Sequence, residues 1–178
     1  SIIKMPDSKV IIFGCGGHGR VIYDILLNMN NVNIIGFVDD DIKMVGKVIH
    51  ETKVLGTSEI LYDLLGDGIN QIVLGIGDNN IRANLFSKWE KAGFRIYNAI
   101  HPSAYISKTV ELGKGIVIMA GTVINTGSII GDNVCINTGA TIDHDNKLDD
   151  HVHIYPGANL TGGVCVGSYT YIGSNAVV

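Results

Sequence analysis

The sequence predicts two unlike halves: an α/β region with a small parallel sheet, then a parallel β-helix of stacked six-residue repeats. Three observations carry this. Gly makes up 23 of 178 residues, about 13%, against a usual ~7%. Ile (27) and Val (17) far outnumber Leu (11). That balance argues against a helix bundle, because β-branched side chains lose freedom in helices and fit strands. Finally, the text changes character at His101-Pro102, with alternating strand-like and helix-like patterns before it and a fixed period after it.

The elements of the first half follow in order. Residues 9–13 are a short apolar, β-branched strand, and 14–19 a glycine turn. Residues 18–28 carry Val21, Ile22, Ile25 and Leu26 on one helical stripe. Residues 33–38 make a second strand, ending in Asp39, Asp40 and Asp41. A helix is expected over 58–65 with Thr57 or Ser58 as its N-cap. A third strand covers 71–76, a helix stopped by Gly93 covers 79–92, and a further strand covers 94–100. This βαβ rhythm implies a parallel sheet covered by helices, with the strands' C-terminal ends along one edge.

Residues 106–178 hold no Arg, Trp or Phe and no helical stripe. Every sixth residue from Ile106 to Val178 is aliphatic, thirteen in all, while only nine other Ile, Leu or Val occupy the remaining five phases. The position four after each aliphatic is Ser, Thr, Ala or Val in ten of twelve cases; Ile116 and Asn146 are the exceptions. A period of six fits neither an isolated helix nor a plain strand. It fits a coil of short strands and tight turns, each aliphatic pointing inward onto the one in the next coil. Gly and Asn supply the turns. The division expected is 1–102 and 103–178. The chain stops as a new hexad begins at Val178, so the second domain is expected to be C-terminally incomplete.

Charge and composition exclude several classes. With 13 Lys+Arg against 17 Asp+Glu, the net charge is −4 and no general nucleic-acid or membrane-surface binder is expected. No apolar run approaches the ~20 residues of a membrane span. The start, S-I-I-K-M-P-D, has no signal-peptide pattern. Three cysteines fit a reducing compartment, so a cytoplasmic location is expected.

Two clusters carry chemistry. Gly14-Cys15-Gly16-Gly17-His18-Gly19 sets G-x-G-x-x-G between a strand and a helix, with Asp39 at the end of the next strand. Backbone N–H groups there can cradle a phosphate, and a carboxylate can hold a ribose or base. A nucleotide-sugar site, a dinucleotide site and a purely structural turn all use such a pattern; about 100 residues leave little room for two mononucleotide halves. Gly75-Ile76-Gly77 is a second strand-end turn, so Gly16, Asp39 and Gly77 should converge on one edge.

The other cluster is I-D-H-D-N-K-L-D-D-H-V-H-I, residues 142–154. His144 lies two residues after inward Ile142, at an outward corner, with Asp145 beside it and the rule-breaking Asn146 in the same hexad. A neutral His can take a proton from an attacking amine or hydroxyl, and a carboxylate can fix its tautomer. Rival readings are a metal site of His144, His151 and His153 with nearby Asp residues, a solvated polar turn, and a nucleophile at Cys135 or Cys165.

The strand ending in F-G-C-G-G-H-G-R-V, then F-V-D-D-D, G-I-G-D-N-N-I-R, H-P-S-A and the hexads resemble the sialic acid O-acetyltransferase/nucleotide-amino-sugar N-acetyltransferase family, of the bacillosamine N-acetyltransferase type, over the whole chain. The resemblance implies a Rossmann-like N-terminal domain, a left-handed parallel β-helix and acetyl-CoA as co-substrate, with no metal. By motif match, Gly16, Gly17 and His18 contact the nucleotide sugar, Asp39 and Asp40 lie near its base and ribose, and Gly77 lines the pocket. His144 is the general base and Asp145 takes the acidic position after it. His153 lies near the acetyl carbonyl, and Gly162 and Ser174 offer main-chain contacts to the CoA arm. His144 and His153 are nine residues, half a coil, apart, which a site shared between subunits accommodates, and the resemblance implies a homotrimer. The expected activity is N-acetylation of a UDP-4-amino-sugar type acceptor for surface glycan biosynthesis. The alternatives are O-acetylation of a sialic-acid-like sugar and a non-catalytic β-helix scaffold or sugar-nucleotide sensor.

Overall fold

The computed structural model describes residues 7–178. The first half runs β1 (Ser8–Phe13), α1 (Gly17–Asn28), β2 (Val32–Val38), β3 (Val48–Ile49), β4 (Thr52–Gly56), α2 (Ile60–Gly66), β5 (Gln71–Leu74), α3 (Asn79–Ala92) and β6 (Arg95–Ile96). These form one sheet in the order β3-β4-β2-β1-β5-β6, parallel except for the β3–β4 hairpin. Central β1 is apolar without alternation because both faces are covered: Val10, Ile11 and Ile12 are fully buried. Ile22, Ile25 and Leu26 of α1 pack on one side of the sheet, and Phe86 and Trp89 of α3 on the other.

Three local expectations differ from the structure. The strand expected over 94–100 is two strands in two sheets: Arg95–Ile96 pairs with β5, whereas Ala99–Ile100 pairs with Val117–Ile118 as the first rung of the β-helix. Asn98 makes the transition, accepting from the Ile116 N–H and donating to the Gly113 carbonyl. Helix α2 starts at Ile60, later than expected, and neither Thr57 nor Ser58 caps it through a side chain; their carbonyls instead accept from the N–H groups of Ile60 and Leu61. The β3–β4 hairpin has no counterpart in the sequence reading. It turns on His50 and Glu51, both with positive φ (46° and 68°), without the glycine that usually signals such a turn.

From Ala99 to Ile172, thirteen two-residue strands form three parallel sheets. Each pairs with the strand 18 residues on, as Val117 with Cys135 and Cys135 with His153. These are the triangular rungs of the expected left-handed β-helix. Inward residues from Ile118 through Leu160 are at most 2% exposed. Burying such a side chain contributes roughly 1.5–3 kcal/mol, which a two-residue strand cannot obtain otherwise. From Gly115 to Asn175 each corner holds one left-handed residue. Gly121, Gly139, Gly157 and Asn175 fill one column; Gly115, Asn133, His151 and Tyr169 a second; Gly127, Asp145 and Gly163 the third.

The sheet containing Ala99, Val117, Cys135, His153 and Tyr171 faces the α/β domain. Ala99, Val117 and Cys135 share one core with Ile22, Tyr23, Ile25 and Leu26 of that domain. A polar clamp lies beside it. Arg82 of α3, 1% exposed, donates to the Ile76 and Gly77 carbonyls at 3.1 Å and reaches the Asn133 carbonyl of the β-helix at 3.4 Å. Asn79 donates to the Tyr169 carbonyl at 3.0 Å.

Ile136→Ala, at a fully buried inward position, is expected to lower stability by about 2–5 kcal/mol. Tyr105→Ala on the exposed outer surface should stay within about 0.5 kcal/mol. Urea denaturation of both variants checks this, and equal losses would contradict the stacking account.

Candidate active site

The glycine turn divides into packing and open positions. A Cβ on Gly19 would lie 1.9 Å from the Gly14 carbonyl oxygen, and one on Gly14 2.8 Å from that of Gly75. These two residues let α1, β1 and the loop after β5 approach. Gly16, Gly17 and Gly77 face open space, and the first turn of α1 has no side-chain cap and no acidic residue. The Gly16–Gly17 backbone therefore presents free N–H groups suited to an anion.

The two carboxylates expected near the base and ribose have partners within the chain. Asp39 accepts from the Cys15 N–H (2.9 Å), the Cys15 thiol (3.0 Å) and the Asp41 N–H (2.9 Å). Burial opposes its charge, but these bonds outweigh burial and hold the carboxyl below the usual range. Asp40 accepts from the Ser58 N–H at 2.7 Å. Both fix the loop at this edge while retaining acceptor capacity.

His18 and His153 meet at the same edge, their ring centroids 5.8 Å apart. His153 Nδ1–H donates to the Gly77 carbonyl at 3.2 Å. The sequence grouped His153 with the cofactor residues; the structure sets it against Gly77 and His18, residues expected to bind the sugar. Burial first, then the neighbouring cations, pushes both rings down to about 4. Arg82 contributes to both shifts, and no carboxylate lies among its hydrogen-bond partners. It was missed as a site residue because an arginine on an apolar helix stripe gives no separate signal. Its place in the quoted G-I-G-D-N-N-I-R run is the only hint.

His144 occupies a different corner. Its Nδ1 lies 2.9 Å from Asp145 Oδ2. A carboxylate only accepts, so the neutral ring carries its proton on Nδ1 and leaves the Nε2 lone pair free. The hydrogen bond to Asp145, then the charge of Asp143, raises the His144 pKa. Asp143 accepts from the His144 N–H at 2.8 Å, and buried Asn146 donates to the carbonyls of Asp143, His144 and Thr161. The one amide side chain in the small inward position thus ties down the loop bearing His144. Gly162 lies directly against the ring, where a Cβ would come 2.5 Å from Nε2. Ser174 is exposed two corners further toward the chain end.

His144, His151 and His153 point from two different corners and one face, so the alternative metal cluster does not assemble among the described residues. Burial pushes the Cys135 thiol up to about 12, which disfavours the thiolate that an acyl-cysteine route needs there, while Cys165, the other candidate, is exposed. Among the described residues no helix is long and apolar enough to cross a membrane.

Comparison with known proteins adds to this geometry. Residues 9–89 match the PglD N-terminal domain family. GDP-perosamine N-acetyltransferase of Escherichia coli O157:H7 is 28% identical over 173 residues, covering 94% of this chain and 76% of that protein. A crystal structure of a perosamine N-acetyltransferase variant from Caulobacter crescentus, in complex with CoA and GDP-perosamine, is 34% identical with a TM-score of 0.86, covering 96% of this chain and 88% of that one. The acetyltransferase domain of PglB from Neisseria gonorrhoeae, in complex with acetyl coenzyme A, is also 34% identical, with a TM-score of 0.87 and coverages of 96% and 82%.

In the unfolded chain His18 and His153 take up protons near 6.5, whereas in the folded protein they stay neutral down to about 4. The unfolded state binds more protons between those values, so stability should fall as pH drops from 6.5 toward 4. At ~1.4 kcal/mol per unit of displacement, the loss is on the order of a few kcal/mol. His153→Gln should flatten this slope in denaturation curves taken across that range; an unchanged slope would contradict the assignment.

Proposed function

The chain belongs to the nucleotide-amino-sugar N-acetyltransferase family, and we propose that it moves the acetyl group of acetyl-CoA onto the amine of a nucleotide-linked amino sugar. The observation that carries this is the likeness over 96% of the chain to an enzyme bound to both CoA and GDP-perosamine, together with a His144–Asp145 pair at a β-helix corner. The acceptor's diphosphate sits at the Gly16–Gly17 turn. His18 and Gly77 line its sugar end, and Asp39 and Asp40 lie toward ribose and base. The CoA arm runs past Gly162 and Ser174 toward His153.

The reaction is a direct transfer. The amine nitrogen attacks the thioester carbonyl carbon, forming the C–N bond. The C–S bond then breaks and CoA leaves as its thiolate. His144 Nε2 takes the amine proton, with Asp145 steadying the imidazolium, and that proton neutralises the thiolate. His144 and the His18–Gly77–His153 edge occupy different sides of the same β-helix. A second copy that brings its His144 corner to this edge completes the site, which supports a homotrimer with sites between subunits. A cytoplasmic setting and a role in surface glycan synthesis fit such a substrate.

CoA release measured with GDP-linked and UDP-linked 4-amino sugars and with sialic acid tests the proposal. Turnover is expected with a nucleotide amino sugar, and His144→Ala should reduce it by about 10²–10⁴-fold. Full turnover in His144→Ala would remove the base assignment. Acetylation of sialic acid alone would favour O-transfer, and silence with every acceptor would favour the scaffold reading.

A further inference from the structure

The corner column that contains Asp145 is Gly127, Asp145 and Gly163, with φ of 74°, 58° and 74°. Asp145 is thus the one residue of this column in the left-handed region that bears a side chain. Its carboxylate has a close neighbour one coil below. A Cβ built on Gly127 would lie 2.3 Å from Asp145 Oδ1, while Asp145 Oδ2 holds His144 Nδ1 at 2.9 Å. One carboxylate oxygen therefore rests on the bare backbone of Gly127 and the other carries the His144 bond. The Asp145 side chain is 70% exposed, and His144 is its one hydrogen-bonded side-chain partner among the described residues. Contact with Gly127 is what limits its rotation from below.

We infer that Gly127 is a positioning residue for the transfer reaction, its missing side chain making the seat on which Asp145 is aimed at His144. This rests on His144 being the base, as proposed above. Methyl substitution at residue 127 pushes the carboxylate off its seat, because the contact at 2.3 Å is with that carboxylate and Asp145 must turn to relieve it. Once the carboxylate has turned away, His144 loses the bond that favours its protonated form, and its acid limb moves to lower pH.

Gly139 supplies the control. It sits at another corner of the same β-helix with φ of 67°, and a Cβ there meets nothing within 4 Å. Gly139→Ala carries the same left-handed backbone penalty as Gly127→Ala without touching the pair. The expected result is that both substitutions lower Tm similarly, while only Gly127→Ala cuts kcat, by about tenfold within the span that general-base catalysis supplies, and shifts the acid limb of kcat/KM to lower pH. Following the His144 ring by NMR as pH is varied reads the same shift without turnover. Coincident profiles for the two glycine variants, with His144→Ala inactive, would overturn the role of Gly127 alone. Full activity in His144→Ala would overturn the base assignment and this inference together.

Discussion

Everything in the second half of this protein depends on one repeating contact, an aliphatic side chain stacked on another 18 residues away. Two-residue strands have too few hydrogen bonds to persist alone. They hold because Ile118, Ile136 and Ile154, and their counterparts on the other two faces, are closed off from water. The stacking leaves four residues to turn each corner, and from Gly115 to Asn175 one of those lies in the left-handed region. Glycine does so at little cost and a side chain does so at a penalty. At two of the columns, side chains in the left-handed region also serve something other than the turn. One column sets Asp145 beside His144. Another sets Asn133, His151 and Tyr169 against the α/β domain, where the Asn133 and Tyr169 carbonyls receive Arg82 and Asn79.

That second column joins the two halves. Arg82 is a buried cation held by carbonyl oxygens and the Asn79 amide. Removing it would leave several carbonyls unpaired in a dry interface. Burial keeps His18 and His153 neutral, and the Arg82 charge adds to this, at the edge where the Gly77 carbonyl takes bonds from Arg82 and His153 alike. One residue thus bridges the domains and contributes to the electrostatics of the proposed acceptor edge.

The sequence made the β-helix legible because its signal repeats: thirteen aliphatics in phase leave little room for another reading. The sheet of the first half was legible from its apolar runs, and Asp78, whose side chain accepts from the Ile81 N–H, gave α3 a sharp start. The segment 94–100 was misjudged because a continuous apolar stretch does not reveal that Asn98 redirects it into a second sheet. The β3–β4 hairpin was invisible because His50 and Glu51 occupy positions normally betrayed by glycine. At the candidate site, His144, Asp145 and Asn146 stood out as a broken rule within a strict pattern. Arg82, and the seating of one side chain on a glycine 18 residues away, depend on contacts between distant parts of the chain, and a single sequence does not display these.

The central claim is that the acceptor edge of one subunit works with the His144 corner of another. Subunit complementation addresses it. His144→Ala and His18→Ala chains are prepared separately, then unfolded and refolded together in equal amounts, and acetyl transfer is assayed. Each variant alone should be nearly inactive. Random assortment around a three-fold assembly pairs an intact edge with an intact corner at about a quarter of the interfaces, so the mixture should recover roughly that share of wild-type activity. No recovery above the sum of the two variants, from a mixture shown to contain mixed assemblies, would contradict the account.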